Sequence, residues 1–293
     1  MIFDISHRTT YTYEAPVTQS FAQLHVLPTD LDGQLVLESE VKVDPEPNHF
    51  RQRLDFFGNP AATLMIDEPH TVLSLESRSV VDTDGRPSAF PPGASSPWET
   101  FTAVANPRDL RTVEFALDSP RITRSSDLAE YAEPSFPEGR SLAEGATDLC
   151  HRIFEDFTFD KKATKVDTPL TKVLEIRRGV CQDFTHVMIG AMRSVGLAAC
   201  YVSGYLETNP PPGQPRLTGV DRTHAWVGVH LGNDEWIGVD PTNDQLSAHR
   251  YVTTARGRDY SEIAPLRGVI FTESKKTTLD VAVDVVARTP PAD

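Results

Sequence analysis

The residue pattern predicts an α+β protein, with a β-rich, sandwich-like unit over residues 1–118 and a mixed helix-and-strand unit built on an antiparallel sheet over 119–293. Three observations predict it. Apolar residues in the first third recur at every second position, the period of a half-buried strand. From Ser119 the period lengthens to that of amphipathic helices. After Gly196, short segments rich in Val, Ile, Tyr and Trp return, and these residue types favour strands.

In chain order, Phe3 to Tyr13 and Thr71 to Val80 alternate as strands. Between them, Leu35, Leu37, Val41 and Val43 take odd positions while Glu38, Glu40, Lys42 and Asp44 take even ones, which predicts one apolar and one solvated face. Gly58-Asn59-Pro60 interrupts the alternation as a turn. Arg86 to Pro97 carries Pro87, Pro91, Pro92 and Pro97 and reads as a surface loop. Leu142, Ala146, Leu149, Cys150, Ile153 and Phe154 then share one helix face. Cys150 is therefore expected in the core, where a free cysteine packs as a small hydrophobe. Thr168-Pro169 predicts an N-cap and first-turn proline, and Gly179 the stop of the same short helix. The next helix follows at once, with Phe184, Val187, Met188, Ala191, Met192 and Val195 as its stripe and Gly196 as its end. Cys200 to Leu206, Thr223 to Leu231 and Glu235 to Asp240 read as strands, and Leu279 to Val285 as a closing strand before a proline-rich tail.

The chain carries 28 Lys and Arg against 42 Asp and Glu, a net charge of −14. No basic run reverses this locally, so neither nucleic acid nor a membrane surface is an expected partner. Asp4 and His7 stand where a secretory signal needs an apolar stretch, which leads to the expectation of a cytoplasmic protein. Three cysteines, at 150, 181 and 200, are too few for a disulfide framework or a four-ligand zinc site. The motifs of helical zinc sites, calcium loops and glycine-rich phosphate loops are missing, so no metal or nucleotide cofactor is expected.

The chemistry concentrates on a few residues. Cys181 opens an amphipathic helix, and first-turn N–H groups directed at its sulfur favour thiolate. Such a nucleophile needs a base and a group that orients the base. Gly232-Asn233-Asp234 reads as a three-residue hairpin loop that sets Leu231 opposite Glu235. In that register Trp226 faces Asp240, so His224 and Asp240 are diagonal neighbours about 7–8 Å apart at the backbone. A two-residue loop would place them on opposite faces. His186 lies five residues beyond Cys181, about 140° round the helix, and is a poor base. Trp226 is read as cleft wall or core, and Asp183 as a supporting residue or a helix cap. The loop from Thr208 to Asp221, with four prolines, either borders the cleft or is plain surface.

Taken together, Gly179-Val180-Cys181-Gln182-Asp183-Phe184-Thr185-His186, Tyr201 to Leu206, His224-Ala225-Trp226-Val227, Asp240-Pro241-Thr242-Asn243 and Gly257-Arg258-Asp259-Tyr260 resemble the bacterial transglutaminase-like family. The first unit, with His7, Tyr11, Tyr13 and Phe57-Gly58-Asn59, is similar to that family's β-rich N-terminal region. Phe159 and Cys200 depart from the pattern, where relatives often carry tyrosine and arginine. The resemblance implies a papain-like catalytic core with a Cys181-His224-Asp240 triad. Gln182 is a candidate second oxyanion donor, and Asp183, His186 and Trp226 are supporting or substrate-lining residues. It further implies a cysteine-dependent enzyme that forms a thioester with a peptide or glutamine-type amide, resolved by water or an amine. A papain-like peptidase and a silent scaffold of the same fold are the alternatives.

Overall fold

The computed structural model describes residues 1–208 and 223–288, so the proline-rich loop lies outside the described residues from 209 to its end. The chain opens with β1 (Ile2–Leu24), β2 (Leu35–Asp44), β3 (His49–Leu54), β4 (Pro60–Ile66) and β5 (His70–Asp82). A helical stretch follows: α1 (Leu110–Phe115), α2 (Ser126–Ala132), α3 (Leu142–Asp156), β6 (Thr158–Phe159), α4 (Leu170–Ile176), β7 (Arg178–Gly179) and α5 (Cys181–Ser194). The last part holds β8 (Ala199–Leu206), β9 (Thr223–His230), β10 (Trp236–Asp240), β11 (Gln245–Leu246), β12 (Tyr251–Gly257), β13 (Leu266–Thr272) and β14 (Thr277–Ala287). Among the described residues no helix is long and apolar enough to cross a membrane.

β1 organises the first sheet because its 23 residues serve two sets of partners. Phe3 to Tyr13 pairs with β14 on one edge, and β5 runs along the other; Ser20 to Leu24 pairs with β13 and β4. Register breaks between Thr12 and Val17, and the sheet curls there. Tyr13, Val17, Leu64, Ile66, Leu73 and Leu75 thereby meet in one buried cluster. The strand expected to close the second unit thus joins the first sheet, as does β13.

β2 shows a second difference. Its odd-position alternation does not run the whole length, because Leu37 is a bulge between Val36 and Glu38. An extra residue inverts which side chains face inward. Val41 and Val43 pack against the core, whereas Leu35 and Leu37 are exposed.

The second sheet has the order β11-β10-β9-β8-β12, antiparallel throughout. One face, with Ala199, Tyr201, Val227, Val229, Ile237 and Val239, packs on α5 and α3. The other carries Cys200, Val202, Trp226 and Tyr251 against Phe115. α5 is buried nearly all round, not only along the expected stripe. Even Arg193 is 1 % exposed, because its guanidinium donates to the Ala199 and Arg258 carbonyls and to Ser119. Each large apolar side chain so buried is worth about 1.5–3 kcal/mol.

Other expectations shift locally. In α3, Phe154 is exposed although the rest of its predicted face is buried, because at about 100° per residue it falls at the margin of that face, whereas Ile153 beside it points inward. Pro169 is the N-cap of α4, and Arg177 in the left-handed region ends that helix two residues before Gly179. The Arg86 to Pro97 stretch contains a 3₁₀ turn at Pro92–Ser95 and buries Ala94.

Candidate active site

Gly179 leads into the site for a reason of space. A Cβ there would sit 2.4 Å from Asp183 Oδ2. That oxygen accepts from Val180 N at 2.8 Å and from Thr164 Oγ1 at 2.7 Å, so Asp183 caps the first turn of α5. Asp183 is buried, which pushes its carboxyl up, and its role is capping. Cys181 is the first residue of that turn and is partly exposed, whereas Cys150 and Cys200 are buried. First-turn N–H groups have no acceptor within the helix, and those of Cys181 and Gln182 have no acceptor among the described residues, which leaves them for a ligand. Gln182 donates its side-chain amide to the Val166 carbonyl at 3.3 Å.

The β9–β10 hairpin supplies the other two residues. Val227 pairs with Val239 and His230 with Trp236, and Leu231 N donates to the Glu235 carbonyl, so Trp226 does stand opposite Asp240. Gly232, Asn233 and Asp234 all adopt positive φ to close the loop. His224 Nε2 lies 2.6 Å from Asp240 Oδ2 and donates to it, since a carboxylate only accepts. The other ring nitrogen, Nδ1, is then the one left for Cys181, whose sulfur helps to raise the ring's pKa.

Asp240 is fully buried, and it is satisfied rather than stranded. Tyr251 Oη and Asn243 Nδ2 each donate to Oδ2 at 2.7 Å, and Thr242 N donates to Oδ1 at 2.8 Å. The Cys150 thiol donates to the Asp240 carbonyl at 3.4 Å. Burial pushes this carboxyl up, but His224, Asn243 and Tyr251 outweigh it and hold the group below the ordinary carboxylate range. Burial likewise pulls His224 down, yet the Asp240 charge and hydrogen bond, aided by Cys181, raise it to about 10. The imidazole therefore holds both protons at neutral pH.

The remaining predicted residues surround this group without joining it. Trp226 is 1 % exposed, with its ring tilted beside His224 and edge-on to Tyr251, so it is core, not cleft wall. His186 Nε2 accepts from Tyr260 N at 3.2 Å, and burial lowers its pKa to about 4. A neutral His186 thus anchors the Arg258 to Tyr260 segment. Asp259 reinforces that anchor by accepting from Arg121 N and Ser261 N. Burial first, then the Cys181 sulfur, raise the Tyr201 hydroxyl well above its usual range. Tyr260 is raised too, by burial and by Cys181 against an opposing Arg121. Both therefore keep the hydroxyl proton at neutral pH. Sequence reasoning did not assign Asn243 or Tyr251 to the carboxylate. The Asp-Pro-Thr-Asn turn could have signalled Asn243, but nothing local marks Tyr251.

The comparisons agree with this architecture. Residues 3–82 match the model of the bacterial transglutaminase-like N-terminal region, and residues 130–241 that of the transglutaminase-like superfamily. An uncharacterized protein of Mycobacterium tuberculosis (strain H37Rv) is 43% identical over 296 residues, covering 97% of this chain and 92% of its own. A protein-glutamine gamma-glutamyltransferase of Pseudomonas aeruginosa is 26% identical over 121 residues, 41% of this chain and 18% of that protein. The crystal structure of a candidate cysteine protease from Cytophaga hutchinsonii superposes with a TM-score of 0.72 at 21% identity, over 99% of this chain and 93% of that one.

Proposed function

This chain belongs to the transglutaminase-like superfamily, and from that premise we propose that it is a cysteine-dependent amide acyl-transfer enzyme, with Cys181, His224 and Asp240 as its catalytic residues. The observation that carries the reading is the 2.6 Å contact of His224 with a buried, triply supported Asp240, on a ring whose pKa Cys181 also helps to raise. The Cys181 thiolate attacks the carbonyl carbon of a peptide or glutamine-type amide, and the displaced π electrons move onto the oxygen. The free N–H groups of the first turn of α5 face that oxyanion. As the tetrahedral intermediate collapses, the C–N bond breaks and His224 passes its proton to the leaving nitrogen. A thioester remains. Water or a primary amine then attacks it, neutral His224 takes the attacker's proton, and the C–S bond breaks to restore the thiolate and imidazolium. Asp240 stays ionised throughout and holds the ring with Nδ1 towards the sulfur.

The test is incubation of the protein with a glutaminyl peptide, with and without a primary amine, followed by mass measurement. Hydrolysis adds a Glu product, and transfer adds the amine adduct. Both are expected to vanish in Cys181→Ala. A wild-type protein that yields neither product on glutaminyl peptides nor cleavage of peptide bonds sinks the enzymatic reading in favour of a binding or scaffold role.

A further inference from the structure

On the same sheet face as His224, but farther along it, lies a cavity that the acyl-transfer chemistry does not use. It measures about 260 Å³ and opens between Phe57, Phe115 and Trp236 on its apolar side and Arg111, Asp234, Cys200 and Arg256 on its polar side. The rings are mutually packed, with Phe115 5.0 Å from Trp236 and 5.8 Å from Phe57. Edge-on and tilted to one another, they form one apolar wall.

The polar side carries two guanidinium groups against one carboxylate. Arg111 is paired with Asp234 at 3.6 Å and Glu114 at 3.5 Å. The Cys200 thiol is pushed up to about 11 by burial and stays neutral. Arg256 has no hydrogen bond or ion pair to its guanidinium among the described residues, although the side chain is only partly exposed and lines the cavity; Asp234 attracts it from beyond contact range. A guanidinium does not shed its proton in a protein, so Arg256 keeps its donors for an anion. Arg86, close enough to repel it, adds to the positive potential. Arg256 is also held in place: its N donates to Asn59 Oδ1 at 2.7 Å, and Asn59 Nδ2 donates to its carbonyl at 2.8 Å.

We propose that this cavity is a binding site for a small aromatic carboxylate, with the carboxylate on the Arg256 guanidinium and the ring against the wall of Phe57, Phe115 and Trp236. A planar fork meets a carboxylate with two parallel hydrogen bonds, and the volume falls just below the usual ~300–1,000 Å³ of drug-sized pockets, which suits a single ring. The site is separate from Cys181. Cys200 pairs with Gly228, four residues along β9 from His224 and so roughly 13 Å away, with Trp226 and Tyr251 packed on the same sheet face.

The experiment titrates benzoate into the full-length protein, following tryptophan fluorescence and melting temperature. Saturable binding with a rise in melting temperature is expected in the wild type and, unchanged, in Cys181→Ala. Arg256→Lys, which keeps the charge but loses the fork, is expected to bind about tenfold more weakly, and Arg256→Gln not at all. Benzamide, of the same shape without the charge, is expected to bind at least tenfold more weakly than benzoate. Should Arg256→Gln fail to fold, the lysine variant and the benzamide comparison decide. Absence of saturable benzoate binding overturns the proposal, as does equal affinity in Arg256→Lys and wild type, equal affinity for benzamide, or loss of binding in Cys181→Ala. Inorganic phosphate binding as tightly as benzoate would also overturn it, since the rings would then contribute nothing.

Discussion

Asp240 Oδ2 receives three side-chain donors, and their number determines how far the site depends on each. Asp240→Asn leaves the imidazole in place but offers it a group that can also donate, so turnover is expected to fall by roughly 10³–10⁴ without reaching zero. Tyr251→Phe removes one donor of three and is expected to slow turnover only several-fold, with the helix-start cysteine still alkylated normally. Steady-state kinetics on the glutaminyl peptide distinguish the two. Among the three thiols, Cys181 alone is partly exposed, while burial raises both Cys150 and Cys200. Peptide mapping after brief iodoacetamide treatment should therefore find the label on Cys181; preferential labelling of either other cysteine would contradict its assignment. His224, raised from 6.5 to about 10, also sets a pH signature. Between those values the folded protein binds more protons than the unfolded chain, so stability must fall as pH rises. The contribution is full below about 6.5 and gone above about 10. A His224→Gln protein should lack this decline when melting temperatures are compared across that window, and the wild-type rate should drop on the alkaline side as the acid loses its proton.

At the scale of elements, the start of α5 depends on a residue with no side chain. Gly179→Ala would drive a Cβ into Asp183 and break its bonds to Val180 and Thr164. Losing such a buried cap costs about 1–3 kcal/mol, so a fall in denaturation midpoint is expected together with lower activity. Asp183→Asn, which keeps an acceptor oxygen, is expected to lose less than half as much; equal losses would mean that the glycine acts in some other way. The hairpin was legible for a related reason. Three residues that tolerate positive φ, Gly232, Asn233 and Asp234, fix loop length and hence register, and the register alone brings His224 to Asp240. β2 was less legible because a bulge at Leu37 has no composition that announces it, yet it inverts the face of the residues around it.

The whole molecule is held by exchanges between its two units. β12 is an edge strand of the second sheet, and the first unit covers it: Gln34 bonds both N and O of Thr253, and Asn59 bonds both N and O of Arg256. Unpaired edge groups are thereby satisfied by side chains. β12 also carries Tyr251, so the first unit braces the strand that supports Asp240. In return β13 and β14 pair along β1 and bury Val283 and Val285. A chain truncated after Pro265 leaves both halves of β1 without a neighbour on one edge. It is expected to aggregate or to melt at least 10 °C lower, by about the several kcal/mol such a loss implies for a protein of this size. A truncated chain that melts like the full one would show that the C-terminal strands are dispensable.

Local chemistry was sufficient for much of this protein. Periodicity marked the long strands and α5, because burial repeats every two or 3.6 residues whatever the partner. The loop chemistry of Gly232-Asn233-Asp234 set a register, and the position of Cys181 at a helix start followed from the stripe behind it. What tertiary structure alone decided depends on residues distant in sequence. The return of β13 and β14 to β1, the reach of Tyr251 to Asp240, and the meeting of Phe57 with Arg256 involve separations that no periodicity encodes. A buried charge takes its character from whatever the fold brings within hydrogen-bond range. For that reason His224 gained a satisfied carboxylate, Arg193 three acceptors and Arg256 an open cavity, though all three are simply polar residues in buried segments of the sequence.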